Sequence, residues 1–302
     1  MRDLKKYQGI FPAFYVCYDE QGNISPERVR ALTELLIKKG VTGLYVGGSS
    51  GECIYHSVAE RKLVLENVVS QADGRIVIIA HVACNNTADS MELAAHAESL
   101  GVDAIAAIPP IYFKLPDRAI ARYWNDISSA APNTDFIIYN IPQLAGVSLN
   151  KSLLRTMLQN PNVIGVKNSS MPVQDIEEWR DEGAIVFNGP DEQLLSGLTA
   201  GAVGGIGGTY GSMPGLYLKI FDLVREGKAA EALPIMDGCR QVISLMCSAK
   251  GNLYAVLKAV LRINEGIELG GVRSPLLNLA EEDRPVAEAA AKQIKELEEK
   301  YL

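Results

Sequence analysis

The chain has 302 residues, of which 48% are hydrophobic and 22% are charged, a composition typical of a soluble globular α/β protein and not of a disordered or fibrous one. Its formal net charge of −7 and its lack of a Lys/Arg-rich run exclude a nucleic-acid partner, which needs a concentrated positive field. No stretch approaches the ~18 apolar residues of a membrane span, so no membrane partner is expected.

Five scattered cysteines form no C-x-x-C pair, so the sequence predicts neither a disulfide framework nor a zinc site. Unpaired thiols fit a reducing compartment. The first residues, MRDLKKYQGIFPAF, carry charges but no apolar signal-peptide core. We therefore expect a cytoplasmic protein with no metal. The cysteines are Cys17, Cys53, Cys84, Cys239 and Cys247.

Short apolar runs alternate with longer stretches of helical period, the pattern of βα units and a parallel sheet. Stretches such as residues 26–39, 59–72, 88–100 and 118–131 are long enough for crossover helices. The eight predicted strands are residues 9–15, 43–46, 76–81, 104–108, 136–140, 163–167, 184–188 and 202–206.

Eight regularly spaced units predict an α/β fold, a (β/α)8 TIM barrel over residues 1–228, followed by a C-terminal helical domain over residues 229–302. An open doubly wound sheet is the alternative, but no G-x-G-x-x-G follows the first strand. The last predicted helix, residues 284–302, is rich in Ala, Lys and Glu and is either a solvated cap or an oligomer contact.

In such barrels the active site lies at the carboxyl ends of the strands and in the loops that follow them. Polar residues there outrank polar residues elsewhere. Four places qualify: GGSSGE at 47–52, YNIP at 139–142, GVKNSS at 165–170, and NGPDE at 188–192 together with GGIGGTYG at 204–211.

Lys167 ends the sixth predicted strand, where two-residue alternation puts Val163, Gly165 and Lys167 on one face. If that face is the barrel lumen, burial lowers the lysine pKa from its usual ~10.4. A neutral amine is the nucleophile that imine formation with a keto acid requires. Taken alone, a lysine more often extends into solvent or pairs with a carboxylate.

Tyr139 ends the fifth predicted strand much as Lys167 ends the sixth. Neighbouring strands lie about 4.8 Å apart, so a tyrosine hydroxyl here can reach a substrate attached to the lysine and relay protons. A core aromatic with a satisfied hydroxyl is the alternative, about as common for a tyrosine taken alone.

The glycines of GGSSGE let backbone N–H groups approach a ligand, and the N–H groups of Ser49 and Ser50 are candidates for binding a carboxylate. A plain glycine-rich turn is the alternative. The same letters match the serine-hydrolase elbow G-x-S-x-G, but that reading requires a histidine after the serine and the acid. His56, His81 and His96 all lie in the first third and lack metal-ligand spacing, which also disfavours a metal hydrolase.

A glycine-rich segment after the last strand holds phosphate in many barrels, so a phosphosugar isomerase is an alternative. Asp191 and Glu192 follow the seventh strand, however, and carboxylates repel a phosphate while accepting hydrogen bonds from sugar hydroxyls. Polyol recognition fits these residues better.

Taken together, GGSSGE, YNIP, GVKNSS and GGIGGTYG, in this order, resemble the dihydrodipicolinate synthase / N-acetylneuraminate lyase family over nearly the whole chain. The segments LYVGGSSGE, AHV, YNIPQLAGV and NGPDE are most similar to the lyase branch. The resemblance implies a class I aldolase that cleaves N-acetylneuraminate reversibly to N-acetylmannosamine and pyruvate.

The resemblance also assigns roles. Lys167 forms the imine, with no other cofactor, and Tyr139 moves protons, while Ser50 and Tyr112 extend the relay. It implies that Tyr112 comes from a neighbouring subunit of a homotetramer built from dimers. Ser49 and Ser50 hold the pyruvate carboxylate. The residues implied to meet the sugar are Ser169, Gly189, Asp191, Glu192 and Gly208.

Five positions distinguish this chain within the family. Leu144 stands where the synthase branch carries an arginine that clamps a second carboxylate, which disfavours that branch. Gly208 replaces a frequent serine, Pro190 replaces a bulkier residue, and Val16-Cys17 replaces a common Thr-Pro pair. Gly208 and Pro190 are therefore the positions at which the far-end sugar contacts depart from the family pattern.

Two further functions stay open at this point. Another pyruvate-dependent aldolase or dehydratase of the same family keeps the lysine chemistry but changes the loops after strands seven and eight. A non-catalytic barrel that binds a keto acid predicts tight binding without turnover and indifference to Lys167→Arg.

Overall fold

The computed structural model describes residues 3–302. Its centre is eight parallel strands, as the alternation of apolar runs predicts. The observed strands are shorter than predicted at several ends. They are β1 (Gly9–Pro12), β2 (Gly43–Val46), β3 (Val77–His81), β4 (Ala104–Ala107), β5 (Asp135–Asn140), β6 (Val163–Asn168), β7 (Ile185–Asn188) and β8 (Gly204–Gly207).

The sheet closes on itself. Neighbouring strands pair in the order β1-β8-β7-β6-β5-β4-β3-β2. Between the two end strands, Thr42 N donates to Ile10 O at 3.0 Å and Phe14 N donates to Tyr45 O at 2.9 Å. The TIM barrel is therefore confirmed and the open doubly wound sheet is wrong.

Helices follow the strands, with caps that the sequence supplies. Ser57 accepts the Glu60 N–H, and the Glu60 carboxylate accepts the Ser57 N–H, which closes a capping box. The helices are α1 (Pro26–Lys38), α2 (Val58–Ala72), α3 (Thr87–Ser99), α4 (Asp117–Ser129), α5 (Pro142–Ala145), α6 (Lys151–Met157), α7 (Gln174–Asp181), α8 (Leu194–Thr199), α9 (Pro214–Arg225), α10 (Ala229–Met246), α11 (Leu253–Glu265) and α12 (Arg284–Tyr301).

The pairing of β5 with β6 shifts register at Phe136/Ile137. Because of this irregularity, Ile164 packs in the lumen while Val163 joins the cluster between barrel and helices. The predicted face shared by Val163, Gly165 and Lys167 is thus wrong for Val163. The two later residues pair with Ile185 and Phe187, whose side chains belong to the lumen.

The lower lumen is filled by aromatic rings. Phe187 meets Phe11 edge to face with ring centroids 5.6 Å apart, and meets Tyr7 likewise at 6.4 Å. Such packing leaves no channel through the barrel. The polar residues predicted for the site lie at the upper end, where the strands finish.

The C-terminal helices are not a detached cap. α10 packs on α9, and α12 lies across α10 and α11 with Ala287, Ala290, Ala291 and Ile294 buried. The predicted division at residue 228 stays a prediction. Within residues 3–302, no helix combines the length and apolarity that crossing a bilayer demands.

Candidate active site

A cavity of about 300 Å³ opens at the carboxyl end of the barrel. It brings together residues from loops that are far apart in sequence. Nine of the ten residues predicted for the site line it: Ser49, Ser50, Tyr139, Lys167, Ser169, Gly189, Asp191, Glu192 and Gly208.

Lys167 lies at the floor of this cavity and is 4% exposed. Its Nζ stands 3.9 Å from the centroid of the Tyr139 ring and 4.1 Å from that of Tyr45. Among residues 3–302, no carboxylate lies within 4.0 Å of the nitrogen. Burial lowers the pKa of Lys167 to about 7, while the charges of Asp191 and Cys53 act in the opposite direction. Much of the amine is therefore neutral near pH 7.

Tyr139, on the neighbouring strand β5, is also buried and also has a shifted pKa. It pairs with Lys167 across β5 and β6 and is 3% exposed. Burial raises its pKa to about 12, against hydrogen bonding with Ser49 and Ser169 that lowers it. The hydroxyl is thus protonated at neutral pH, and it shares the cavity with the hydroxyls of Ser49 and Ser169.

Asparagines fix the ends of these strands. Asn140 Nδ2 donates to Asn168 Oδ1 at 2.9 Å, and Trp179 Nε1 donates to the same oxygen at 3.0 Å. Both asparagines are buried directly after the reacting residues. Because they point away from the lumen, they hold the backbone that carries Tyr139 and Lys167.

Residues 47–52, the serine loop, leave β2 through Gly47 at φ +74°. Ser49–Gly51 form one turn of 3-10 helix, and the first N–H groups of a helix have no partner within it. Ser50 and Tyr254 both line the cavity and lie close to Gly208. The loop places both serines in the cavity, and their binding of a carboxylate stays a prediction.

Asp191 reaches across to the loop after β8. Its Oδ2 accepts from Thr209 N and Thr209 Oγ1, both at 2.6 Å. Burial raises the pKa of Asp191 to about 6, and the two hydrogen bonds oppose that rise. A Cβ at Gly207 would overlap Oδ1, so the glycine is needed for this approach. The Thr209 N–H that a phosphate could use is already taken.

The rest of the cavity wall sets its shape. Leu144 lines it and is 57% exposed, so no cation stands there to hold a second carboxylate. Gly189 must stay small, because a Cβ would overlap Ser169 Oγ. Glu192 is exposed at the rim and free to accept from a ligand hydroxyl.

Tyr112 is the predicted site residue that one chain does not bring to the cavity. It is 89% exposed, holds φ +87°, and stacks edge to face on Phe113, which is 71% exposed. Both line a separate cavity of about 660 Å³. Within a single chain it lies apart from Lys167.

The histidines have structural partners. His81 Nδ1 lies 2.9 Å from the Gly47 carbonyl, so the ring donates there and steadies the serine loop. Burial lowers the pKa of His81 well below its usual value. His56 contacts the Tyr18 hydroxyl at 2.7 Å, and His96 pairs with Glu66. Within the described part of the chain, no cluster of His, Cys, Asp or Glu suits a metal ion.

Sequence reasoning missed two aromatic residues. Tyr45 lies beneath Lys167. It shares a strand face with Gly43 and Gly47, so the two-residue alternation of β2 could have placed its ring in the lumen. Tyr254 lines the cavity from α11, and no βα pattern could have placed a C-terminal helix there.

The model of the dihydrodipicolinate synthetase family matches residues 6–294. The chain belongs to this family. Its predicted resemblance is thus confirmed, and the family's barrel agrees with the fold described above.

Within the family, the chain is similar to N-acetylneuraminate lyases and sialic acid aldolases. N-acetylneuraminate lyase of Mediterraneibacter gnavus is 62% identical over 100% of this chain and 97% of its own length. The structure of a catalytic-lysine mutant of Ruminococcus gnavus sialic acid aldolase matches with a TM-score of 0.99 and 62% identity over 100% of both chains. A structure from Clostridium difficile, in complex with mannosamine, matches with a TM-score of 0.89 and 30% identity over 100% of both chains.

Proposed function

We propose that this member of the dihydrodipicolinate synthetase family is a class I aldolase that cleaves N-acetylneuraminate reversibly to N-acetylmannosamine and pyruvate. The observation that carries the proposal is Lys167, a buried amine with a pKa of about 7 between two tyrosine rings and without a carboxylate partner within 4.0 Å in residues 3–302. The 62% identity to an N-acetylneuraminate lyase supports the choice of sugar acid.

The proposed reaction begins when neutral Lys167 attacks the ketone carbon of the open-chain sugar acid. Tyr139 donates a proton to the carbinolamine hydroxyl, which leaves as water and gives a protonated imine. Loss of the C4 hydroxyl proton to the tyrosine relay breaks the C3–C4 bond, whose electron pair moves into the imine to form an enamine. C4 becomes the aldehyde carbon of N-acetylmannosamine, which leaves the site. Reprotonation at C3 and hydrolysis release pyruvate.

The iminium supplies the electron sink, so the proposed reaction needs no metal or organic cofactor. Activity retained after dialysis against a chelator is the expected result. The serine loop takes the carboxylate at one end of the substrate, and Asp191 and Glu192 accept from sugar hydroxyls at the other.

Borohydride reduction in the presence of pyruvate tests the chemistry. Mass spectrometry should find one reduced pyruvyl adduct, on Lys167, in the wild type and in the control Lys219→Met, whose side chain is exposed on α9. Lys167→Met should show none. An intact protein without an adduct, or with one elsewhere, would remove the mechanism.

A substrate panel tests the sugar. Pyruvate release should be faster from N-acetylneuraminate than from 2-keto-3-deoxygluconate by at least tenfold in kcat/KM. The reverse preference would assign another pyruvate-dependent aldolase of the family. Binding of N-acetylneuraminate without turnover would favour a keto-acid sensor.

We also propose that the protein works as a homotetramer in the cytoplasm, in sialic acid degradation. The exposed Tyr112 and Phe113 beside a large cavity suit a contact with a second copy, and five free thiols suit a reducing compartment. Light scattering should give four times the chain mass of 32.7 kDa, and a monomer of full activity would contradict the subunit contact.

A further inference from the structure

The carboxylate of Glu52, the last residue of the serine loop, has several donors at once. Glu52 adopts φ +54° and is 2% exposed. Oε1 accepts from Lys258 Nζ at 3.0 Å, while Oε2 accepts from Tyr18 Oη at 3.0 Å and Arg273 N at 2.8 Å. The carboxylate therefore fixes one end of the loop to the C-terminal part of the chain.

Lys258, on α11, is the charged partner and is 3% exposed. Its Nζ also donates to the Gly271 carbonyl at 2.6 Å. A fully buried ion pair gains little over apolar packing of the same volume, because both charges lose their hydration. A role in placing the adjoining loop accounts for a pair that stability alone does not require.

Tyr254 precedes Lys258 by one helical turn, on the same face of α11. A Cβ at Gly208 would lie 3.1 Å from Ser50 Oγ and 3.8 Å from Tyr254 Cε1, so both side chains converge on one point of the cavity wall. Burial raises the pKa of Tyr254 to about 12, and hydrogen bonding with Ser50 lowers it. The Tyr254 ring thus lies beside Ser50 in the wall of the cavity.

We propose that Tyr254 and Lys258 of α11 are positioning residues of the active site, holding Ser50 and Glu52 so that the serine loop keeps its geometry for the substrate carboxylate. This inference rests on the proposed function for the nature of the bound acid. A C-terminal helix outside the eight βα units then becomes part of the catalytic apparatus.

The expected consequence is a loss of alignment and not of chemistry. A displacement of about 1 Å in a positioning group costs on the order of 100-fold in rate. Lys167 and Tyr139 lie on strands that α11 does not hold, so their own environment stays intact. We therefore expect the variants to bind pyruvate more weakly while the reactivity of the Lys167 amine stays unchanged.

Three variants test the proposal. Tyr254→Phe removes one hydroxyl. Glu52→Gln with Lys258→Met removes both charges together, which avoids an unpaired buried charge and keeps the protein folded. Tyr7→Phe is the matched control, since its buried hydroxyl donates to the Asp103 carbonyl and to Asp135 Oδ2 at the opposite end of the barrel from the Lys167 cavity.

Two readouts separate positioning from a general structural role. The first is the pyruvate concentration that half-saturates borohydride trapping at Lys167, and the second is kcat and KM for N-acetylneuraminate. We expect about a tenfold fall in kcat for Tyr254→Phe and at least a tenfold rise in the half-saturating pyruvate concentration for the double variant. For the control, both readouts should stay within twofold of the wild-type values.

A double variant tests whether the two residues act together. Ser50→Ala with Tyr254→Phe should be no slower than Ser50→Ala alone, because both changes act on the same pair of neighbouring side chains.

The results divide cleanly. Folded variants that trap pyruvate and turn over within twofold of the wild type would overturn the proposal, as would additive losses for Ser50→Ala and Tyr254→Phe. A wild type that traps pyruvate but does not cleave N-acetylneuraminate refutes the proposed substrate, and the pyruvate readout still decides the positioning role. A wild type that traps nothing refutes both.

Discussion

Two lysines of this chain are almost equally buried yet differ in whether a carboxylate is in contact with the amine. Lys167 is 4% exposed and Lys258 is 3% exposed. The first stands between two aromatic faces, and the second lies 3.0 Å from a carboxylate and also binds a carbonyl. Burial lowers the pKa of both, but Glu52 counteracts it at Lys258. Burial makes a nucleophile only where no counter-charge is in contact.

The largest effect that this comparison predicts is on activity. Lys167→Met should lower kcat for pyruvate release by at least about 1,000-fold, because no other group of the cavity supplies an amine. Coupled assay of pyruvate measures it. Lys258→Met should retain measurable turnover, and equal losses at the two lysines would break the distinction.

For stability we expect the larger effect at Lys258, in contrast to the effect on activity. Lys258→Met leaves Glu52 as an unpaired buried charge and should lower the free energy of unfolding by about 3 kcal/mol. Urea unfolding monitored by circular dichroism gives the value. Neutralising Glu52 in the same chain should recover most of the loss, and a single variant as stable as the wild type would show that the pair is not coupled.

The lumen lysine should make stability depend on pH. Its folded pKa of about 7 lies below the unfolded value, so between pH 7 and about 10 only the unfolded chain holds the proton. The free energy of unfolding of the wild type, relative to Lys167→Met, should therefore rise by up to about 1.4 kcal/mol per pH unit across this range. Denaturation at pH 6, 7, 8 and 9 measures the difference, and a flat difference would refute the lowered pKa.

The smallest predicted effect concerns Asp191. Its negative charge raises the pKa of Lys167, so Asp191→Asn should move the half-maximal pH of pyruvate imine trapping below the wild-type value near 7 by a few tenths of a unit. The same change should raise KM for the sugar acid about tenfold through the lost hydroxyl acceptor. Thr199→Val, on the exterior helix α8, is a control expected to change neither.

The sequence predicted the barrel well because each strand is a short apolar run followed by a long helical stretch. It also predicted most of the site, since Lys167, Tyr139 and the serines all follow strands whose carboxyl ends meet at one rim. The face of Val163 was wrong, because a register shift between β5 and β6 depends on pairing that no local pattern reveals. Tyr254 was missed for a similar reason: it lies near Ser50 in the cavity wall, although the two residues are far apart in sequence.

The negative charge of Asp191 limits which molecules the cavity can bind. Its carboxylate already accepts the Thr209 N–H after β8, so the sugar end of the cavity carries its own fixed negative charge. Leu144, which lines the same cavity, supplies no counter-charge. A ligand with acids at both termini is therefore repelled at one of them, and the cavity favours a molecule with one anionic head and an uncharged hydroxylated tail, bound in one direction only.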